Sequence, residues 1–119
     1  MSLGEEAVKL HSSSMNCAQC VLCAASKYIE IDPDYARRIA AGFGGGIKSG
    51  EVCGAVSGAV MALGVAGKQD CTKEFVDDFK TFFGSCVCRE LKGKSGIPCD
   101  DLIEFSANKL EEVLINGNL

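Results

Sequence analysis

The sequence predicts an all-α fold, a single-domain bundle of about five to six helices spanning residues 1–119. Three observations carry that expectation. Apolar residues recur at helical spacing almost throughout, and no segment alternates with a period of two. Helix starts and stops are marked by capping residues: Asn16, Asp32 before Pro33, Thr72, and then Gly67 and Gly84. A chain of 119 residues, 47% hydrophobic and 24% charged, has an ordinary composition for one folded unit and is too apolar for a disordered chain.

Each element follows from its residues. Residues 1–3 are expected to be a disordered start. Glu5 to His11 puts apolar positions on one side of a short helix, which Ser12-Ser13-Ser14 breaks. Asn16 is a good N-cap for a second helix from about Cys17 to Tyr28. Asp32-Pro33 marks a third start, since aspartate caps and proline suits the first turn. That helix, Asp34 to about Ala41, runs into the loop Gly42-Phe43-Gly44-Gly45-Gly46. A fourth helix is expected from about Glu51 to Ala66. Its small residues Gly54, Ser57, Gly58 and Ala62, with Met61, form a stripe that would let a neighbouring helix approach closely. Two interior glycines cost helix stability, so a partner helix or a ligand should compensate them. Thr72 caps a fifth helix carrying Phe75, Phe79, Phe82 and Phe83. Residues 84–99 read as irregular, with a helical turn at Cys88-Arg89-Glu90-Leu91 and a turn at Gly93 to Pro98. Asp100 or Asp101 then caps a last helix whose Leu102, Ile103, Phe105, Leu110, Val113 and Leu114 face inward.

Composition narrows the function. The formal charge of -4 argues against nucleic acid as a partner. The longest uncharged stretch, Val52 to Gly67, is interrupted by glycine and falls short of the roughly 18–20 apolar residues a membrane span needs. No signal-peptide pattern follows Met1, so the expected compartment is the cytoplasm, where disulfide scaffolds are rare. Eight cysteines in that setting point to metal ligands, redox thiols or small buried apolar groups.

The cysteines are unevenly placed. Cys17, Cys20 and Cys23 climb one stripe of the second helix. Cys17 and Cys53 fall in the first turns of two helices, where unsatisfied N–H groups favour a thiolate. Arg89 is placed to favour a thiolate at Cys88. Cys99 stands at a helix start, while Cys23 and Cys71 read as small apolar groups. Four thiolates could hold zinc or an iron–sulfur cluster, but the C-x2-C-x2-C run lacks the closing C-P step and lies on a helix. Cys17 and Cys20 have thioredoxin spacing without a βαβ frame. The alternative is dithiol–disulfide exchange, one thiolate attacking and another resolving.

The hexad Cys53-Gly54-Ala55-Val56-Ser57-Gly58 resembles the signature of the C_GCAxxG_C_C family, small proteins described as redox-active. Asn16-Cys17-Ala18-Gln19, the Gly42–Gly46 loop, Cys88-Arg89-Glu90-Leu91 and Cys99 resemble its remaining motifs, over about residues 5–115. Carried over by position, the resemblance implies a site of Cys17, Cys53, Cys88 and Cys99, with Cys20, Cys23, Cys71 and Cys86 as additions. It implies redox activity without naming a reaction.

Three readings result. In the first, the four thiols form a thiol–disulfide oxidoreductase site served by a redox partner protein or a small thiol. In the second, the same four, with Cys20 or Cys86, ligate zinc or an iron–sulfur cluster. In the third, the bundle is a non-catalytic interaction protein. A homo-oligomer is compatible with all three. Gly42 to Ser49 approaches a Walker A loop, but Ile47 replaces the glycine before the lysine and a helix precedes it, so nucleotide binding is rejected. A glycine hinge that brings the chain close to the thiols is the expected role. His11, the one histidine, reads as solvated or capping, and Asp77 and Asp78 as a solvated face.

Overall fold

Asn16 begins the central helix as the sequence expects. Its side chain accepts from the Gln19 N–H at 2.8 Å, and the Gln19 side chain accepts from the Asn16 N–H at 2.8 Å. This capping box satisfies two otherwise orphaned donors. A computed structural model describes residues 1–93 and 95–117. Its α-helices are α1 (Leu3–His11), α2 (Cys17–Ala25), α3 (Pro33–Ile39), α4 (Gly54–Val65), α5 (Thr72–Phe83), α6 (Cys88–Lys92) and α7 (Cys99–Asn116). There are thus seven α-helices among the described residues rather than five or six; the additional one is the single-turn α6. The turn expected over Gly93 to Pro98 includes Lys94, which lies outside the described residues.

Two helices form the centre. Six of the nine residues of α2 are buried, and α4 is apolar on nearly every side. They pack on each other more extensively than any other pair. The small-residue stripe explains how. A Cβ on Gly58 would lie 2.5 Å from the Ala18 carbonyl oxygen, and one on Gly54 would lie 2.6 Å from Cys17 Sγ. Carbon atoms normally pack at about 3.5–4.0 Å, so only glycine allows this approach. The compensating contact is a partner helix.

Around this centre, α1 and α7 pack side by side, tied by the Gly4 N–H to Asn108 at 2.8 Å and the Leu3 N–H to Glu111 at 3.2 Å. Leu102, Ile103, Leu110 and Val113 of α7 are buried as expected, whereas Phe105 and Leu114 are only partly so. The amphipathic α5 buries Phe75 and Phe79 and leaves Phe82 68% exposed.

Several boundaries differ from expectation. The start of the chain is folded, not disordered: Ser2 caps α1 and Leu3 is fully buried. Helix α2 ends at Ala25 rather than Tyr28. Helix α4 starts at Gly54 rather than Glu51, because Val52 forms an antiparallel bridge with Val87 and Cys53 becomes the N-cap. Thr72 is the first residue of α5, preceded by a 3-10 turn over Gln69–Cys71, and its side chain caps nothing. Pro98, not an aspartate, precedes α7. His11 instead reaches Asp100, Nδ1 to Oδ1 at 2.7 Å.

Candidate functional site

The α2–α4 approach brings two cysteines of distant sequence together. Cys17 is the first residue of α2 and Cys53 the N-cap of α4, so both sulfurs lie where helix N–H groups have no intrahelical acceptor. The two thiols lie close enough that each dominates the other's pKa. Cys53 is 2% exposed and Cys17 half-buried.

A third segment completes the surround. Gly45, Gly46, Ile47 and Lys48 have φ of 63°, 64°, 59° and 55°, four successive left-handed residues. Such a turn is natural for glycine and strained for Ile47 and Lys48. It is braced by the Ile47 N–H to Phe43 O at 3.3 Å and the Glu51 N–H to Gly46 O at 3.0 Å. The Asn16 amide fastens its lead-in by donating to Ala41 O at 3.0 Å, and Gly44 lies against the Asn16 side chain. The result brings the Gly45 N–H near enough to the Cys17 sulfur to lower its pKa. The glycine segment does bring the chain close to the thiols.

Electrostatics splits the pair. The Cys17 pKa falls to about 6, chiefly because the Cys53 thiol donates to it; burial opposes this, and the N–H groups of Gly45, Cys17 and Ala18 reinforce it. Cys53 moves the other way. Its hydrogen bond to Cys17 raises its pKa most, followed by burial and the charge on Cys17, against weaker opposition from the Ala55 and Val56 N–H groups. Two helix starts therefore yield one thiolate and one thiol, not the two thiolates expected from helix position alone.

The other thiols occupy different settings. Residues 51–53 run against 86–88: the Cys53 N–H donates to Cys86 O at 2.8 Å and the Cys88 N–H to Glu51 O at 2.6 Å. Cys88 packs its Cβ against Gly46, and its pKa is raised by burial and then by Cys17 and Cys99, with Lys92 opposing. Arg89 does not serve Cys88; it turns to Glu51 at 3.3 Å. Cys99, the first residue of α7, is half-buried. Cys20 is buried in the core and pushed up to about 12, chiefly by desolvation. Cys23 is half-buried on α2 beside Pro33 O and is also raised by burial. Cys71 is the N-cap of α5 and its side chain caps nothing.

Zinc or an iron–sulfur centre requires several thiolates around one point. Among the described residues, no group of three or more His, Cys, Asp or Glu side chains is gathered to hold a metal ion. The donors as arranged do not fit such a group. No described helix is long and apolar enough to cross a membrane.

The sequence reading missed the Gly45 amide at the sulfur and an apolar groove beside Cys53. The groove, about 460 Å³ in volume, is walled in part by Phe43, Ile47, Val52 and Val56. Its signal was Ile47 and Val52, apolar residues next to charged ones in a glycine-rich loop.

No curated protein and no solved structure matches the chain. A family model described as "Putative redox-active protein (C_GCAxxG_C_C)" matches residues 15–113, which contain both helix starts, the glycine segment and all eight cysteines. The chain belongs to the C_GCAxxG_C_C family.

Proposed function

We propose that the protein is a thiol–disulfide oxidoreductase in which Cys17 is the attacking thiolate and Cys53 the resolving thiol. The observation that carries this reading is the Cys17 sulfur, which faces the Cys53 thiol and the N–H groups of Gly45, Cys17 and Ala18. These donors stabilise the thiolate without consuming its lone pairs irreversibly. A thiol whose pKa lies near ambient pH combines a large thiolate fraction with good nucleophilicity.

The Cys17 thiolate attacks one sulfur of a disulfide R–S–S–R, forming a mixed disulfide and releasing R–S⁻. Cys53 then loses its proton to the departing group and attacks Cys17 Sγ. The Cys17–Cys53 disulfide forms and the second group leaves as R–S⁻, which takes a proton from water. Two electrons pass from the dithiol to the substrate. A redox partner protein or a small thiol returns the pair to its reduced form. Cys88 and Cys99 flank the pair as thiols available for further exchange.

The test is alkylation of the fully reduced protein at pH 7 with limiting iodoacetamide, followed by peptide mass mapping. Cys17 should be labelled first. Oxidation with diamide should link the Cys17 and Cys53 peptides, with fragmentation assigning the bond. Labelling of Cys17 no faster than Cys23, or a dominant linkage between other cysteines, would refute the proposal.

A further inference from the structure

The groove beside the thiol pair has no role in holding the two sulfurs, and its chemistry differs from theirs. Phe43 and Ile47 of the glycine segment form one wall, and Val60 and Met61 of α4 another, with Val76 of α5 and Cys86 closing it. No charged side chain lines it, and Ser57 supplies its single hydroxyl, which already donates to Cys53 O at 3.4 Å. Ile47 is 51% and Val52 40% exposed, so apolar surface faces solvent here. At about 460 Å³ the space matches a small-molecule site rather than a socket for one side chain.

The groove lies against the backbone that flanks Cys53, with Val52 and Val56 in its wall. Cys86, in its wall, accepts the Cys53 N–H, and Val56, also in its wall, donates to Cys53 O at 3.0 Å. Phe43 O lies 2.9 Å from where a Cβ on Gly54 would stand, beside Cys17 Sγ. A molecule held in the groove therefore lies against the backbone that carries Cys53. A second apolar patch around Phe82, Phe83 and Phe105 contains no cysteine and has no such connection.

We infer that this groove binds the non-reacting part of the substrate, and that the substrate class is a small disulfide with uncharged apolar substituents. The inference rests on the exchange reading above and specifies what is exchanged. A charged disulfide such as oxidised glutathione carries carboxylates that the groove has no cation to receive. An apolar disulfide gains from leaving water, and with its substituent in the groove its sulfurs lie beside the segment that carries Cys53; the electron balance is that given above.

The experiment compares oxidation of the reduced protein by dibenzyl disulfide and by oxidised glutathione, each rate normalised to the same disulfide reacting with dithiothreitol. In parallel, N-phenyl-1-naphthylamine fluorescence reports groove occupancy, with dibenzyl sulfide as a competitor that cannot exchange. The normalised preference for dibenzyl disulfide should be about tenfold or more, within the range by which apolar pockets discriminate. Met61→Asp should remove that preference and the displaceable fluorescence while leaving the glutathione rate within about twofold. Ile47→Asn should weaken both, and its left-handed backbone tolerates asparagine, so this variant reports even if Met61→Asp does not fold. Phe82→Ser should change neither. Equal normalised rates, or a preference untouched by the groove variants, overturn the inference while leaving the exchange reading intact. Oxidation by neither disulfide overturns the exchange reading and the substrate assignment with it.

Discussion

The three helical glycines of α4 provide a graded test of how closely α2 and α4 pack. Gly64 has nothing within 4 Å of an added Cβ, so Gly64→Ala gains helix propensity alone, about 0.5–1 kcal/mol. Gly58→Ala receives the same gain but places its methyl 2.5 Å from Ala18 O and 3.1 Å from Ala18 Cα. Both obstacles are backbone, so the helices must separate by nearly 1 Å to restore contacts of about 3.5 Å. Overpacking of this kind costs about 1–3 kcal/mol. Subtracting the propensity gain leaves a net loss of up to about 2.5 kcal/mol. Gly54→Ala meets Cys17 Sγ at 2.6 Å and Phe43 O at 2.9 Å, so it carries a similar cost and also displaces the sulfur from Cys53. Thermal unfolding under excess reductant, followed by circular dichroism, reads all three. At about 3–6 °C per kcal/mol for a chain of this size, Gly64→Ala should raise Tm by about 2–6 °C and Gly58→Ala should lower it by up to about 15 °C. Gly54→Ala should lower Tm and also slow Cys17 alkylation at pH 7, which Gly58→Ala should affect far less. A Gly58→Ala protein as stable as Gly64→Ala would refute the close approach on which the site depends.

Two other outcomes follow from the same geometry. Cys53→Ala removes the largest contribution to the low Cys17 pKa; a hydrogen bond to a charged group is worth about 1.5–3 kcal/mol and one pH unit about 1.4 kcal/mol, so the midpoint of Cys17 alkylation against pH should rise from about 6 by about one to two pH units. The sign is fixed: the wild-type rate climbs as pH rises through the lowered pKa, and a variant midpoint at or below the wild-type value contradicts the donor role of Cys53. Lys48→Gly relieves a non-glycine left-handed residue worth about 1–2 kcal/mol against about 0.4–1 kcal/mol of added unfolded-state entropy; its Tm should therefore rise by a few degrees, and a fall would show that the Lys48 side chain holds the turn.

The sequence was most legible where structure is decided locally. Asn16 with Gln19, Asp32 with Pro33, and Gly84 each act within a few residues, and each marks the helix end it was expected to mark. It was less legible where a partner far along the chain decides. Glu51 and Val52 read as helix, yet residues 86–88 claim their backbone groups and move the start of α4 to Gly54. That shift makes Cys53 an N-cap and brings it against Cys17. The resemblance marked four positions together, but it did not separate Cys17, whose pKa is lowered, from Cys53, whose pKa is raised. Helix position alone treats Cys17 and Cys53 alike; only their mutual hydrogen bond and the Gly45 N–H separate them. Arg89 shows the same limit, since its sequence neighbour is Cys88 and its spatial partner is Glu51.

The seam between α1 and α7 bears on the order in which the chain takes shape. Gly4 and Asn108, and Leu3 and Glu111, are joined across more than 100 positions, whereas Cys17 and Cys53 both lie in the first half of the chain and residues 86–88 then set the backbone at Cys53. The entropy of loop closure favours the shorter span. On a ribosome, residues 17–58 emerge well before α7 exists to close the seam. The nascent chain thus has both sulfurs available while its interior is still open to water. Oxidants that meet it at that stage meet the cysteine pair before the seam is made, and the arrival of α7 decides when that window shuts.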